Sequence, residues 1–143
     1  MGRTYQSTTV GAPVEAVWTV LRNFYDMSWA SNVVKECRAV GDKTMDQVGA
    51  RRVINGIFHE TLLELSDLNR TVQYRIDDGP SPLSKDEVRD YIGTVRVLPI
   101  TDGNTTFVEW SSSWHGNDDR VAEFCHGIYV ALLNELQHHF SGK

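Results

Sequence analysis

Two glutamates and one arginine are the residues of this sequence best suited to chemistry in an apolar setting. Glu60 and Glu109 each lie among apolar residues of a strand-like stretch, and Arg52 follows Gly49 in another. Desolvation raises the pKa of a carboxyl group that faces a cavity, so such a group can act as acid, base or ligand anchor. A buried guanidinium needs a carboxylate partner, which predicts that Arg52 pairs with Glu60 or Glu109. Glu60 and Glu109 are the candidate catalytic residues.

Alternation along the strands leaves open which face each glutamate occupies. Around Glu60 the more apolar phase contains Thr61, which places Glu60 on the opposite face unless a bulge shifts the register. Around Glu109 the apolar phase contains Val108 and Trp110, and Glu109 belongs to the other phase. The alternative to a role in a site is that both carboxylates are solvated on the outer face of a sheet.

The remaining chemistry-bearing residues lack the spacing of known metal or nucleophile sites. The five histidines are His59, His115, His126, His138 and His139, and no pair of them has the HExxH spacing. Cys37 and Cys125 form no CxxC pair and are expected to be buried thiols. GxSxG, GxGxxG and P-loop motifs are also absent from the sequence. We therefore expect neither a metal nor another cofactor.

The composition is that of one globular domain spanning residues 1–143. The chain has 143 residues, of which 41% are hydrophobic and 23% charged. The formal net charge of -5 argues against nucleic-acid binding, which usually needs concentrated positive charge. No stretch has the pattern of a signal peptide or the length of a membrane span. We expect a cytoplasmic protein without stable membrane insertion.

Turn signals and hydrophobic periodicity predict an α+β fold. The predicted elements are a strand over 3–10, a helix from Pro13, a short second helix or packed turn over 24–30, strands over 33–40, 49–54, 58–65, 71–76, 89–100 and 105–114, and a C-terminal helix from Asp118 to near Gly142. Short turns between successive strands, such as Asn55-Gly56, imply an antiparallel sheet of about seven strands. The sheet is expected to curve around the apolar stripe of the last helix and to leave a cavity.

This order of elements resembles that of a known superfamily, and several short motifs add to the likeness. They are Gly49-x-x-Arg52, Glu60 before Leu65-Ser66-Asp67, Tyr74, Tyr91 in Asp90-Tyr91-Ile92-Gly93-Thr94-Val95, and Val108-Glu109-Trp110. Together they resemble the START-like (SRPBCC) superfamily with the helix-grip fold. That group includes polyketide cyclase/dehydrase and lipid-transport proteins, birch-pollen-allergen-like proteins and plant abscisic-acid receptors.

The resemblance implies a hydrophobic cavity that holds a lipid, an aromatic or a polyketide-like ligand. In the hormone receptors, pocket carboxylates and a tyrosine act on the ligand through water, and Glu60, Tyr74, Tyr91 and Glu109 fall at similar positions. The gating loop of those receptors is reduced here to Asn55-Gly56, while the loop over 77–88 is a candidate lid. The predicted ligand-binding residues are Trp29, Arg52, Glu60, Tyr74, Tyr91, Glu109, Phe124, Ile128 and Leu132.

Two functional classes follow from this resemblance. The first is a binding protein for a small hydrophobic molecule, which could extend to polyketide cyclase/dehydrase-like catalysis. The second is a protein-interaction or co-chaperone-like module that uses the outer face of the sheet. The second class requires Trp110 and Trp114 to be exposed together with Val108. The same surface would equally suit a homodimer interface.

Overall fold

The computed structural model describes residues 1–142, which form a seven-stranded antiparallel sheet, two α-helices and one 3₁₀ turn. In chain order the elements are β1 (Gly2–Val10), α1 (Val14–Leu21), the 3₁₀ turn (Ser28–Ala30), β2 (Cys37–Val40), β3 (Arg51–Ile54), β4 (Phe58–Ser66), β5 (Thr71–Asp78), β6 (Arg89–Ile100), β7 (Thr105–His115) and α2 (Arg120–Ser141). This confirms the predicted α+β helix-grip class.

The sheet has the strand order β1-β7-β6-β5-β4-β3-β2, and every neighbouring pair is antiparallel. Strands β2 to β7 therefore follow one another as a meander. Strand β1, the first in the chain, pairs with β7, the last. Helix α2 packs on β1 and on the 3₁₀ turn, so it lies along the concave face of the curved sheet. The space between this face and α2 is where a cavity can form.

The helices bury residues at helical spacing. In α1 the buried residues are Val17, Trp18 and Leu21, and Pro13 occupies the N-cap. In α2 a buried stripe recurs every three or four residues at Val121, Cys125, Tyr129, Leu132 and Leu136. No helix within residues 1–142 is both long enough and apolar enough to cross a membrane.

Strands β2 and β3 are shorter than predicted, and of the two alternatives for residues 24–30 the packed turn is formed. The backbone N–H groups of Val33 and Val34 both donate to the carbonyl of Ala30 and continue the 3₁₀ turn, so β2 starts only at Cys37. Strand β3 starts at Arg51 rather than at residue 49 because the preceding residues form a turn with a left-handed Gly49 (φ 94°). The stretch 24–30 holds one 3₁₀ turn and no α-helix.

The predicted tight turn between β3 and β4 is confirmed. Asn55 and Gly56 both have positive φ, 55° and 71°, the backbone conformation that Asn and Gly tolerate best. The Asn55 side-chain oxygen also accepts a hydrogen bond from the backbone N–H of Lys35 at 2.7 Å. This contact ties the segment before β2 to one end of the cavity.

Candidate functional site

A cavity of about 410 Å³ lies between the concave face of the sheet and α2. This volume falls within the range of about 300–1,000 Å³ that small-molecule sites occupy. Its wall is mainly apolar, with Phe124, Ile128 and Leu132 of α2 on one side and Ile54 and Ile76 of the sheet on the other. The arrangement suits an apolar molecule.

The charged groups in the cavity wall are Arg52 and Glu60, which face each other in the β3–β4 register. Arg52 Nε donates to Glu60 Oε1 at 2.9 Å, and Nη2 lies 2.7 Å from the same oxygen. Arg52 and Glu60 are 7% and 5% exposed, so this is a buried ion pair. The structure thus forms the first of the two predicted pairings.

The guanidinium of Arg52 is also held by the segment after α1. Its Nη1 donates to the carbonyl oxygen of Phe24 at 2.8 Å, and its Cζ lies 3.9 Å from the centre of the Phe24 ring. On another side the guanidinium lies 5.5 Å from the ring centre of Tyr74. These contacts fix the arginine, and with it the orientation of the Glu60 carboxylate.

Glu60 keeps one oxygen without a protein partner. Both Arg52 contacts go to Oε1, and no residue in 1–142 donates a hydrogen bond to Oε2. The described residues include no fully buried side-chain oxygen or nitrogen without a partner, so Oε2 keeps some accessible surface, and Glu60 lines the cavity. Burial raises the pKa of the Glu60 carboxyl, and the charge of Arg52 partly offsets that effect. Glu60 therefore presents a desolvated acceptor at the cavity wall.

Three tyrosines and a tryptophan form a hydrogen-bonded cluster on the same wall. The hydroxyl of Tyr129 lies 2.9 Å from that of Tyr74 and 2.6 Å from that of Tyr91. Trp110 Nε1 donates to the Tyr74 hydroxyl at 3.0 Å. Burial raises the pKa of all three tyrosines, so their hydroxyls stay protonated at neutral pH. The cluster adds polar groups to the cavity without adding charge.

Gly93 determines where Tyr74 lies. The two residues are partners across β5 and β6, and a Cβ atom on Gly93 would lie 2.3 Å from Cζ of the Tyr74 ring. No other residue type leaves room for the ring there. The ring crosses over the neighbouring strand, and its hydroxyl reaches Trp110 and Tyr129.

Most of the residues predicted for ligand binding line this cavity. The structure brings together Arg52, Glu60, Tyr74, Tyr91, Phe124, Ile128 and Leu132. The loop after β5 also contributes Pro80 and Leu83. Its role as a lid remains a prediction.

Glu109 does not belong to this group, because it lies on the outer face of the sheet. Its Oε2 accepts a hydrogen bond from the hydroxyl of the exposed Tyr5 at 2.5 Å. Its Oε1 lies 4.0 Å from Nη1 of Arg96. Strand β7 alternates regularly, and the buried neighbours Val108 and Trp110 point to the concave side. The predicted placement of Glu109 in the cavity is therefore wrong.

Trp29 also lies outside the main cavity. It is buried in the 3₁₀ turn and borders a separate void of about 20 Å³. Met27, Arg52, Tyr74 and Trp110 line both spaces and separate the void from the cavity. Trp29 thus packs behind this partition.

The structure adds Tyr129, Trp110 and Cys125 to the predicted lining. Tyr129 follows Cys125 by four residues, so the apolar stripe of α2 could have revealed it. Trp110 and Trp114 are each only 3% exposed and Val108 is fully buried. The exposed tryptophan surface on which the interaction-module alternative depended is therefore not formed.

The two thiols and the histidines form no metal site in the described part of the chain. Both cysteines are free, Cys125 being buried as predicted and Cys37 only half-buried. Burial raises the pKa of the Cys125 thiol to about 11. Residues 1–142 contain no group of three or more His, Cys, Asp or Glu side chains placed to hold a metal ion.

Comparisons with known proteins agree with this architecture. Residues 1–140 match the family described as polyketide cyclase / dehydrase and lipid transport. A comparison with curated proteins gives no match.

Solved structures of similar fold come from several bacteria. A protein of Nitrosospira multiformis is 43% identical, with a TM-score of 0.96 over 98% of this chain and 97% of that chain. An uncharacterised protein of Bacillus thuringiensis is 26% identical, with a TM-score of 0.77 over 97% and 98% of the two chains. The protein XoxI of Bacillus cereus is 25% identical, with a TM-score of 0.78 over 98% and 96%. The chain therefore belongs to the polyketide cyclase/dehydrase and lipid transport family.

Proposed function

We propose that the protein binds a small, largely apolar molecule in the cavity between the concave face of the sheet and α2. The observation that carries this proposal is the cavity itself, about 410 Å³ of space inside an apolar wall. Protein interiors are normally close-packed, and an empty apolar space forfeits dispersion contacts. A bound apolar ligand restores those contacts.

The family description supports the same conclusion. It names lipid transport beside polyketide cyclase and dehydrase chemistry, and lipids are largely apolar molecules. The predicted lining residues of α2, namely Phe124, Ile128 and Leu132, supply the apolar wall of the site.

Binding of a neutral fluorescent dye, N-phenyl-1-naphthylamine, tests the proposal. The matched variants are Ile128→Trp, at a position that lines the cavity, and Val130→Trp, two residues along on the exposed side of α2. The added ring at position 128 occupies ligand space and should weaken dye binding about tenfold or more. The ring at position 130 should leave dye binding unchanged. Equal binding by the two variants, or none by the wild type, would contradict the proposal.

Proton-transfer catalysis is a second candidate, favoured by the unpartnered Oε2 of Glu60 at the cavity wall. In that case Glu60→Gln should lower turnover by roughly 10²–10⁴-fold while the dye still binds. Mass spectrometry of compounds extracted before and after incubation with the protein separates the two candidates. A carrier returns its ligand unchanged, and an enzyme does not.

A further inference from the structure

We propose that the ligand carries no negative charge and has a hydroxyl group that donates a hydrogen bond to Oε2 of Glu60. This inference rests on the proposed binding function and names the chemical class of the ligand. It makes neutral alcohols and phenols preferred ligands, and it disfavours carboxylates and phosphates.

The cavity's positive charge is already neutralised within the protein. Among the described residues that line the cavity, Arg52 is the only cation. Its Nε and Nη2 contact Glu60, its Nη1 donates to the Phe24 carbonyl, and its face lies against the Phe24 ring. Glu60 already neutralises this cation, so an anionic ligand would bring a second negative charge into the cavity without a counter-charge of its own, which is strongly unfavourable.

Oε2 of Glu60 has no hydrogen-bond donor among residues 1–142, because both Arg52 contacts go to Oε1. An ionised carboxylate oxygen only accepts hydrogen bonds. A buried acceptor without a donor costs free energy, so the site favours a ligand that brings a donor. A hydroxyl group supplies the donor without bringing charge, whereas an ether of the same shape supplies none.

The other polar groups of the wall already have hydrogen-bond partners. The Tyr129 hydroxyl bonds to the hydroxyls of Tyr74 and Tyr91, and the Trp110 N–H donates to Tyr74. None of these groups offers a positive charge to an anion. The cluster adds no charge to the cavity wall, so Glu60 is the charged acceptor that a ligand meets.

Three probes that share one ring system distinguish the effect of a hydrogen-bond donor on affinity from the effect of a negative charge. They are 2-naphthol, 2-methoxynaphthalene and 2-naphthoate, each titrated against the wild type by displacement of N-phenyl-1-naphthylamine at pH 7. We expect 2-naphthol to bind about tenfold or more tightly than 2-methoxynaphthalene, because the ether leaves Oε2 without a donor. We expect 2-naphthoate to bind most weakly, because its carboxylate meets Glu60.

A pair of glutamine variants tests whether the preference for 2-naphthol depends on Glu60. In Glu60→Gln the amide oxygen must face the Arg52 donors, so the amide N–H₂ faces the ligand in place of Oε2. The preference for 2-naphthol over 2-methoxynaphthalene should then disappear or reverse. Glu109→Gln, on the outer face, should keep the wild-type order. If Glu60→Gln does not fold, the wild-type order still decides the question.

The outcomes distinguish the two proposals. Binding of 2-naphthoate or 2-methoxynaphthalene as tightly as 2-naphthol, with the dye still bound, overturns this inference and leaves the binding function standing. Failure of the dye and all three probes to bind the wild type overturns both.

Discussion

Glu60 and Glu109 lie on opposite faces of one sheet, and they differ in burial and in partners. Glu60 is 5% exposed and is paired with a buried arginine that is itself held by Phe24. Glu109 accepts its hydrogen bond from the exposed Tyr5, and its nearest cation is the exposed Arg96. The Glu109 hydrogen bond raises the pKa of Tyr5, whereas burial raises that of Glu60 itself.

This contrast shows that the burial and the partners of each carboxylate depend on the face of the sheet on which it lies. On the concave face Arg52 and Glu60 are buried, so their charges interact strongly and an unpartnered oxygen is costly. On the outer face solvent and salt screen the same groups. Equivalent changes on the two faces, or at matched positions, should therefore differ in their effects.

The largest effect is expected for Arg52→Met. This change keeps an apolar stem but leaves the buried Glu60 without its counter-charge, which should cost about 3–5 kcal/mol of unfolding free energy. Arg96→Met, beside Glu109, should cost about 0.5 kcal/mol or less, because that pair is long and solvated. Urea denaturation of both variants at pH 7 measures the difference. Equal costs would contradict the contrast between the faces.

The loss of unfolding free energy in Arg52→Met should also depend on pH. The pKa of Glu60 is already raised in the folded protein, and removing Arg52 raises it further. A carboxyl group with a raised folded pKa favours the folded state when protonated, so its stabilising effect is lost as pH rises through that pKa. Arg52→Met should therefore recover towards wild-type stability as pH falls. A loss independent of pH would show that Glu60 is not the cause.

The next effect is expected for Gly93→Ala. The new methyl group collides with the Tyr74 ring, which must move away from Trp110 and Tyr129. Overpacking and lost hydrogen bonds together should cost about 3 kcal/mol, and dye affinity should fall with them. Gly127→Ala is the control, because a Cβ there meets nothing within 4 Å and alanine favours a helix by about 1 kcal/mol. Similar thermal stabilities for the two variants would contradict the packing account.

The smallest effect is expected for Tyr129→Phe. Loss of its hydroxyl removes two buried hydrogen bonds, to Tyr74 and Tyr91, and should cost about 2 kcal/mol. Tyr5→Phe removes one exposed hydrogen bond to Glu109 and should cost about 0.5 kcal/mol or less. Denaturation midpoints of the two variants at pH 7 test this difference. A larger loss for Tyr5→Phe would reverse the assignment of the two faces.

Local signals were enough to predict most of the sheet. The Asn55-Gly56 and Asp102-Gly103 turns each join two strands, and the second also uses positive φ at Gly103 (83°) and Asn104 (53°). Each turn demands an antiparallel neighbour, so the order of β2 to β7 follows from the chain order, whereas the pairing of β1 with β7 joins the two ends of the chain and has no local signal. The length of β2 could not be predicted in this way, because Val33 and Val34 have strand-like residue types but bond to Ala30.

The face of Glu60 depended on a feature that alternation does not show. The β4–β5 register shifts between Leu62 and Glu64, so Leu62 and Leu65 both pack on the core although they are an odd number of positions apart. Glu60 lies on the same face of the sheet as Leu62, which is the concave face. Alternation had predicted the opposite face for Glu60, because Leu63 and Leu65 form the more apolar phase. Glu109 lies in β7 with regular alternation, and there the periodicity gave the correct face.

A filtered NOE measurement on ¹³C-labelled protein with 2-naphthol tests the central claim, that the ligand site is the concave cavity, most directly. The account predicts contacts from the naphthol ring protons to the methyl groups of Ile54, Ile128 and Leu132, which line the cavity. Contacts to Ile92, which lies with Tyr5 on the outer face, without contacts to those three residues would contradict it.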